Sequence, residues 1–138
     1  MPEMTKQRPG TMRLVDAMKY RLPLAGLVSI LHRASGALMF VLLPFIIWMF
    51  DTSVTSEISF DVFKSAFSAG IGVLPGWLIK VVAWALIWAY LHHLIAGLRH
   101  LWMDATHSVS QEFGHGSAVV TLLLSVLLTA ALGAKLLF

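Results

Sequence analysis

Three long apolar runs, at about residues 25–50, 75–103 and 117–138, constrain this chain more than any other feature of its sequence. Each meets or exceeds the roughly 20 residues that a helix needs to cross about 30 Å of hydrocarbon. With 58% hydrophobic and 12% charged residues among 138, the chain is far too apolar for an ordinary soluble domain. The expected fold is an all-α integral membrane protein with three transmembrane helices. Residues 1–23 form a cytoplasmic N-terminal segment of the same single membrane domain.

The composition excludes several kinds of chemistry. There is no cysteine, so the chain itself supplies no disulfide, no thiolate-bound iron–sulfur cluster and no covalent c-type haem attachment. No G-x-G-x-x-G or Walker-type loop is present, and too little chain lies outside the apolar runs to build a nucleotide-binding domain. The net charge of +3 is not a nucleic-acid signature; its distribution is what informs. Lys6, Arg8, Arg13, Lys19 and Arg21 precede the first run against Glu3 and Asp16. The loop from 51 to 74 carries Asp51, Glu57 and Asp61 against Lys64, and Arg99 returns positive charge near the end of the second run. Positive charge stays on the cytoplasmic side, which puts the N-terminus inside and the C-terminus outside. The first run is too long for a cleavable signal peptide, starts some two dozen residues in and lacks a small-residue cleavage site, so the N-terminus is expected to be retained.

Around these runs the pattern is mostly structural. Residues 11–22 place Leu14, Val15, Met18 and Leu22 on one helical face and Arg13, Asp16 and Lys19 on the other, which predicts a surface helix ending before Pro23, lying on lipid or docked on a soluble partner. Pro44 is expected to kink the first span. Ser59 is read as the cap of a short helix with Phe60, Phe63 and Phe67 on one face, closed by Gly70, Gly72 and the Pro75-Gly76 pair. In the second run Trp77 and Trp102 suit the two membrane interfaces. The third run offers only Ser, Thr and Gly beyond its aliphatic residues and is assigned to helix packing, with Lys135 snorkelling outward.

The chemistry concentrates in "HHLIAGLRHLWMD", residues 92–104. His93, Gly97 and His100 are related by i, i+4 and i+7, so they stack along one helical face, and Gly97 leaves a gap between the two imidazoles in which a flat group fits. His93 lies ~10 Å below His100 at 1.5 Å per residue, deep enough that an ionisable side chain needs a reason to be there. Two readings stand side by side: an imidazole satisfied by a neighbouring helix's hydroxyl or carbonyl, or a neutral imidazole ligating a b-type haem. His92 points about 100° away and is read as packing. In "SILHRASG", residues 29–36, Ser29 and Arg33 are one turn apart where the first span enters the membrane. Arg33 either snorkels to the interface or serves a boundary site for an amphiphilic quinone. Asp104 ends the second run as a partner for Arg99, a proton relay or a helix terminator. His107 and His115 are placed in the loop before the third span, solvated or touching a soluble subunit.

Taken together, "SILHRASG", "HLIAGLRHLWMD", "KQRP" near the start and three spans resemble the cytochrome b556 membrane-anchor subunits of succinate dehydrogenase. The resemblance covers most of the chain, and the second motif is its most specific part. Many relatives carry a Ser-Pro-His-Leu element after the Arg-Pro, where this chain has "RPGTMRL". The resemblance implies that His93 is one axial ligand of haem b (its iron being the metal), and that a second hydrophobic anchor subunit supplies the other in a shared helical bundle. It implies quinone-site roles for Ser29, Ile30 and Arg33, with ubiquinone as substrate, and places His32 near a haem propionate. His100 and Arg99 are further candidates for the propionates, and Asp104 for a proton relay. The implied partners are that second anchor, an iron–sulfur subunit, a flavoprotein subunit and membrane lipid, in a bacterial inner membrane. Rival readings are the anchor of a related fumarate reductase and a haem-free membrane scaffold.

Overall fold

The computed structural model describes residues 20–137, together with Val15. The expected surface helix over residues 11–22 falls largely outside the described residues. The described chain is helical: α1 spans Leu24–Val41, α2 Leu43–Val54, α3 Glu57–Ser68, α4 Gly76–Thr106 and α5 Gln111–Leu137. Three of these, α1, α4 and α5, are long and apolar enough to cross a membrane. α4 is the central helix; it packs along both α1 and α5, which also touch each other, while α3 leans on α2 and α4.

The first apolar run is two helices rather than one. Pro44 has no N–H to give the carbonyl one turn back, and its ring crowds that carbonyl. The chain yields at Leu42, which sits at φ −88°, ψ 8° between the helical segments. Ladder bonds from Leu42 N–H to the Leu38 carbonyl and from Ile46 N–H to the Leu42 carbonyl, both 3.0 Å, carry the chain across the break. The expected kink is therefore real, and it divides the run into α1 and α2.

α3 starts one turn earlier than Ser59 suggested. Ser56 is the cap: its Oγ accepts from Ser59 N–H at 3.1 Å, and Ser59 Oγ accepts from Ser56 N–H at 2.9 Å. The two serines form a reciprocal capping box in which Ser59 plays the part that Glu or Gln commonly takes. Phe60 and Phe63 stack at 5.9 Å, and Phe63 meets Phe67 edge-on at 5.2 Å, as one aromatic row along the helix. The return into α4 is a tight corner in which Gly70 at φ 94° brings its backbone against the Leu74 carbonyl. Gly76 follows with the Phe67 and Ser68 carbonyl oxygens both 2.7 Å from where a Cβ would stand.

α4 carries Trp77 at 65% exposure near one end and Trp102 at 61% near the other. At 1.5 Å per residue they stand ~38 Å apart, a spacing that puts one indole at each interface of a ~30 Å hydrocarbon layer. The helix stops at His107, whose left-handed backbone (φ 54°) turns the chain out. α5 then begins at Gln111, so His115 is a helical residue and not a loop residue.

The bundle interior is built largely from small side chains, among them Ala83, Ala89, Ala96 and Ala118, with Val28 and Ile79 as larger apolar residues buried beside them. On α5, Thr121, Ser125 and Thr129 are buried at helical spacing. Each returns its hydroxyl proton to its own helix, to the carbonyls of Ser117 (2.8 Å), Leu122 (3.0 Å) and Ser125 (2.6 Å). Buried hydroxyls satisfied in this way let α5 approach α4 closely, which bears out the packing role read from its sequence. Gly133 takes this furthest, since the Trp84 indole lies where its Cβ would be.

A Gly76→Val substitution drives a side chain into two backbone carbonyls that cannot swing aside. It is expected to destabilise the α3–α4 corner by about 1–3 kcal/mol, read as a lowered unfolding midpoint of the purified protein.

Candidate functional site

α1 and α4 run antiparallel, so the start of α1 and the end of α4 meet at one end of the bundle. There His32, His93 and His100 come together. The His32 and His93 rings stack with centroids 4.1 Å apart and planes 17° apart, and His32 meets His100 at 5.2 Å in a tilted arrangement. The space left by Gly97 is taken by this α1 histidine: His32 Nε2 lies 3.5 Å from where a Gly97 Cβ would stand. The expectation of an open slot between His93 and His100 is corrected accordingly. The missing side chain at Gly97 makes room for His32.

The hydrogen bonds around His93 define which nitrogen is free. Its Nδ1 lies 3.0 Å from the His32 backbone carbonyl and 3.3 Å from Ser35 Oγ. The Ser35 hydroxyl donates its one proton to that same carbonyl at 2.8 Å. A carbonyl only accepts, so the proton of a neutral His93 belongs on Nδ1 and the Nε2 lone pair is left over. Gly36 makes the approach possible: a Cβ there would stand 2.9 Å from His93 Cε1 and 3.2 Å from Nδ1.

Ser29, Ile30 and Arg33 lie on the adjoining stretch of α1 and face outward. Ser29 is half-buried, and Ile30 and Arg33 are exposed. The two polar groups are one turn apart on an apolar helix, with Ile30 at 47% exposure beside them. Among the described residues the only ion pair is Lys64 with Asp61, so Arg33 has no carboxylate partner there.

Arg99 is not part of this group. Six residues beyond His93, it is turned some 120° around α4, and it points at α5 instead. It is 8% exposed, its Nε–H donates to Ser117 Oγ at 2.8 Å and an Nη2–H donates to the Gly114 carbonyl at 3.2 Å. This corrects the expected pairing of Arg99 with Asp104: among the described residues the two make no ion pair, and Asp104 is exposed at the helix end. Arg99 ties α4 to α5.

His92 makes the second tie. It is 0% exposed, stacks on Trp88 at 5.2 Å, and its Nδ1 lies 3.3 Å from Ser125 Oγ. Because the Ser125 hydroxyl proton goes to Leu122, the imidazole is the donor. The packing role read from its sequence position agrees with this setting.

Comparison with known proteins fits this arrangement. Residues 4–132 match the sequence pattern described as the succinate dehydrogenase/fumarate reductase transmembrane subunit. The chain belongs to that family. It is 35% identical over 109 residues to the succinate dehydrogenase cytochrome b556 subunit of Paracoccus denitrificans, covering 79% of this chain and 78% of the relative. It is 31% identical over 122 residues to the subunit of the same name from Coxiella burnetii, covering 88% and 90%. As a succinate dehydrogenase/fumarate reductase transmembrane subunit, the chain is an integral membrane component of an enzyme complex.

Sequence reasoning about this transmembrane subunit passed over Ser35, Gly36, Ser117 and Ser125, all of them partners rather than actors. Ser35 and Gly36 left a trace only as the last two letters of "SILHRASG", and Ser117 and Ser125 only within the Ser, Thr and Gly content of the third run. Removing the hydroxyl in Ser117→Ala deprives a buried guanidinium of an acceptor. The expected cost is about 1.5–3 kcal/mol, measured by unfolding the protein in mixed detergent micelles, with Ser65→Ala as the neutral control, since that exposed hydroxyl only bonds back to the Val62 carbonyl of its own helix.

Proposed function

We propose that this chain is the haem- and quinone-binding membrane anchor of a succinate dehydrogenase, with His93 as an axial ligand of haem b. The observation that carries this reading is the state of His93. Its Nδ1–H is held by the His32 carbonyl, which fixes the tautomer and leaves Nε2 as a ligand; metal-binding histidines are commonly oriented in this way. His32 stacks on the face of the ring, whereas ligation uses the lone pair in the ring plane, so the two do not compete. Although His32, His93 and His100 lie together, no group of three His, Asp or Glu among the described residues is placed to hold a metal ion by itself. What the site offers is one imidazole nitrogen free to bind, His93 Nε2, and a b-type haem would take one such nitrogen from this chain.

The residues present therefore fit the group. His93 would hold the iron and His100 and His32 would face its propionates. When bound, the haem supplies a one-electron carrier. The second axial ligand is assigned to a second hydrophobic anchor, and electrons to an iron–sulfur subunit that receives them from a flavoprotein oxidising succinate. The relatives' names, succinate dehydrogenase cytochrome b556 subunit, support a b-type haem and membership of a multi-subunit succinate dehydrogenase.

For quinone reduction the work of this chain falls to α1. Ser29 donates a hydrogen bond to a quinone carbonyl, and Arg33 stabilises the negative charge that grows on the ring oxygens before protons arrive. Ile30 gives the ring an apolar contact, and the isoprenoid tail of ubiquinone stays in lipid. Asp104, exposed at the same end of the bundle, is assigned to proton delivery from the aqueous side. That side is the cytoplasm of a bacterial inner membrane, with the C-terminus opposite, on the strength of the basic N-terminal segment. The family description spans both directions of the reaction, so an anchor of fumarate reductase is the second reading; preference for a menaquinone over ubiquinone in turnover assays would favour it.

Two substitutions separate the two halves of the proposal. In the purified complex His93→Ala is expected to abolish the b-type band of the reduced-minus-oxidised spectrum. If the band survives with all subunits present, His93 is not the ligand. Arg33→Ala is expected to lower quinone reduction by about 10²-fold with succinate oxidation by an artificial acceptor unchanged, and wild-type quinone turnover in that variant would sink the site assignment.

A further inference from the structure

We propose that Ser35 is a positioning residue that aims the His93 ring, with Gly36 as its steric counterpart; the inference rests on the reading of His93 as a haem ligand. Ser35 is fully buried, and its Oγ closes a triangle with the His32 carbonyl at 2.8 Å and His93 Nδ1 at 3.3 Å. In a regular helix the His32 carbonyl also receives the N–H of Gly36, one turn ahead. Three donors thus converge on one oxygen: a backbone amide, the Ser35 hydroxyl and the His93 imidazole. A hydroxyl bonded back to the preceding turn tilts that turn's carbonyl off the helix axis. Here the tilted carbonyl is the one that α4 uses, so the Ser35 hydroxyl directs the acceptor towards His93.

The hydroxyl acts on the ring directly as well. Having spent its proton on the carbonyl, Ser35 Oγ presents a lone pair to Nδ1–H, so the proton is shared between two acceptors that lie on the same helix. Two acceptors at fixed positions define the rotation of the imidazole about its bond to Cβ, where one acceptor leaves a range. Gly36 sets the depth of insertion, because any side chain there meets Cε1. Neither residue touches the iron. Both decide where the Nε2 lone pair points, and outer-shell partners of this kind tune metal affinity and ligand basicity.

The test is the low-spin ferric haem signal in electron paramagnetic resonance of the whole purified complex, whose highest g feature reports the relative orientation of the two axial rings. Ser35→Ala fits the cavity and is expected to retain haem while shifting and broadening that feature. Ser35→Cys, close in volume and with only a weak S–H donor, is expected to fall between. Gly36→Ala is expected to lower haem content. Loss of haem in Ser35→Ala with all subunits still assembled would be the same effect at its limit. An unshifted signal in Ser35→Ala, in a complex where His93→Ala has lost the haem, would overturn the positioning role and leave the ligand assignment standing. Retention of haem in His93→Ala would instead overturn the ligand and the inference together.

Discussion

The hydrogen bond between His93 and the His32 backbone carbonyl joins the two helices on which the candidate site at this end of the bundle depends. A backbone carbonyl in the middle of a transmembrane helix is ordinarily committed to its own ladder, and drawing it into a contact with another helix requires close approach. Glycine supplies the approach at both contacts, Gly36 opposite His93 and Gly97 opposite His32. The exchange is reciprocal: each helix gives a histidine and removes a side chain where the other's histidine arrives. Stacking of the two rings then follows from the registry and needs no separate cause.

The other interface of α4 solves a different problem. Arg99 and His92 are polar groups inside an apolar bundle, and leaving either unpaired would be costly. α5 answers along one face, with the Gly114 carbonyl and Ser117 for Arg99 and, between the back-bonded Thr121 and Thr129, Ser125 for His92 Nδ1; His92 Nε2 is buried without a partner among the described residues. The two interfaces divide the polar residues of "HHLIAGLRHLWMD" by helical angle. His93 and His100 meet His32 on the α1 side, where the candidate site is, and His92 and Arg99 tie α4 to α5.

Much of this was legible from period alone. The three long helices followed from run length, the grouping of His93 with His100 from their separation by seven residues, and the packing character of α5 from its Ser, Thr and Gly content. Reading failed where the deciding partner lay on another helix. Gly97 looked like an empty slot because nothing local says that His32 will fill it. Arg99 was expected to pair with Asp104 because nothing local says that its acceptors, Ser117 and the Gly114 carbonyl, lie on α5. The Ser59 cap was misplaced by one turn because Ser56 and Ser59 are chemically identical, and only the extended backbone at Ser56 (φ −163°, ψ 168°) separates cap from partner.

The small-residue interior has a consequence for biogenesis. Because alanine, serine, threonine and glycine fill the contacts, the bulky side chains Phe40, Ile47, Phe50, Leu98 and Leu127 project outward, where lipid solvates them as well as another protein would. Arg33 stands nine residues into α1, within reach of the interface for a long snorkelling side chain. A newly inserted copy can therefore wait in the bilayer without exposing anything lipid rejects. The order in which the subunits of the complex are synthesised is then free of any requirement that this chain come last.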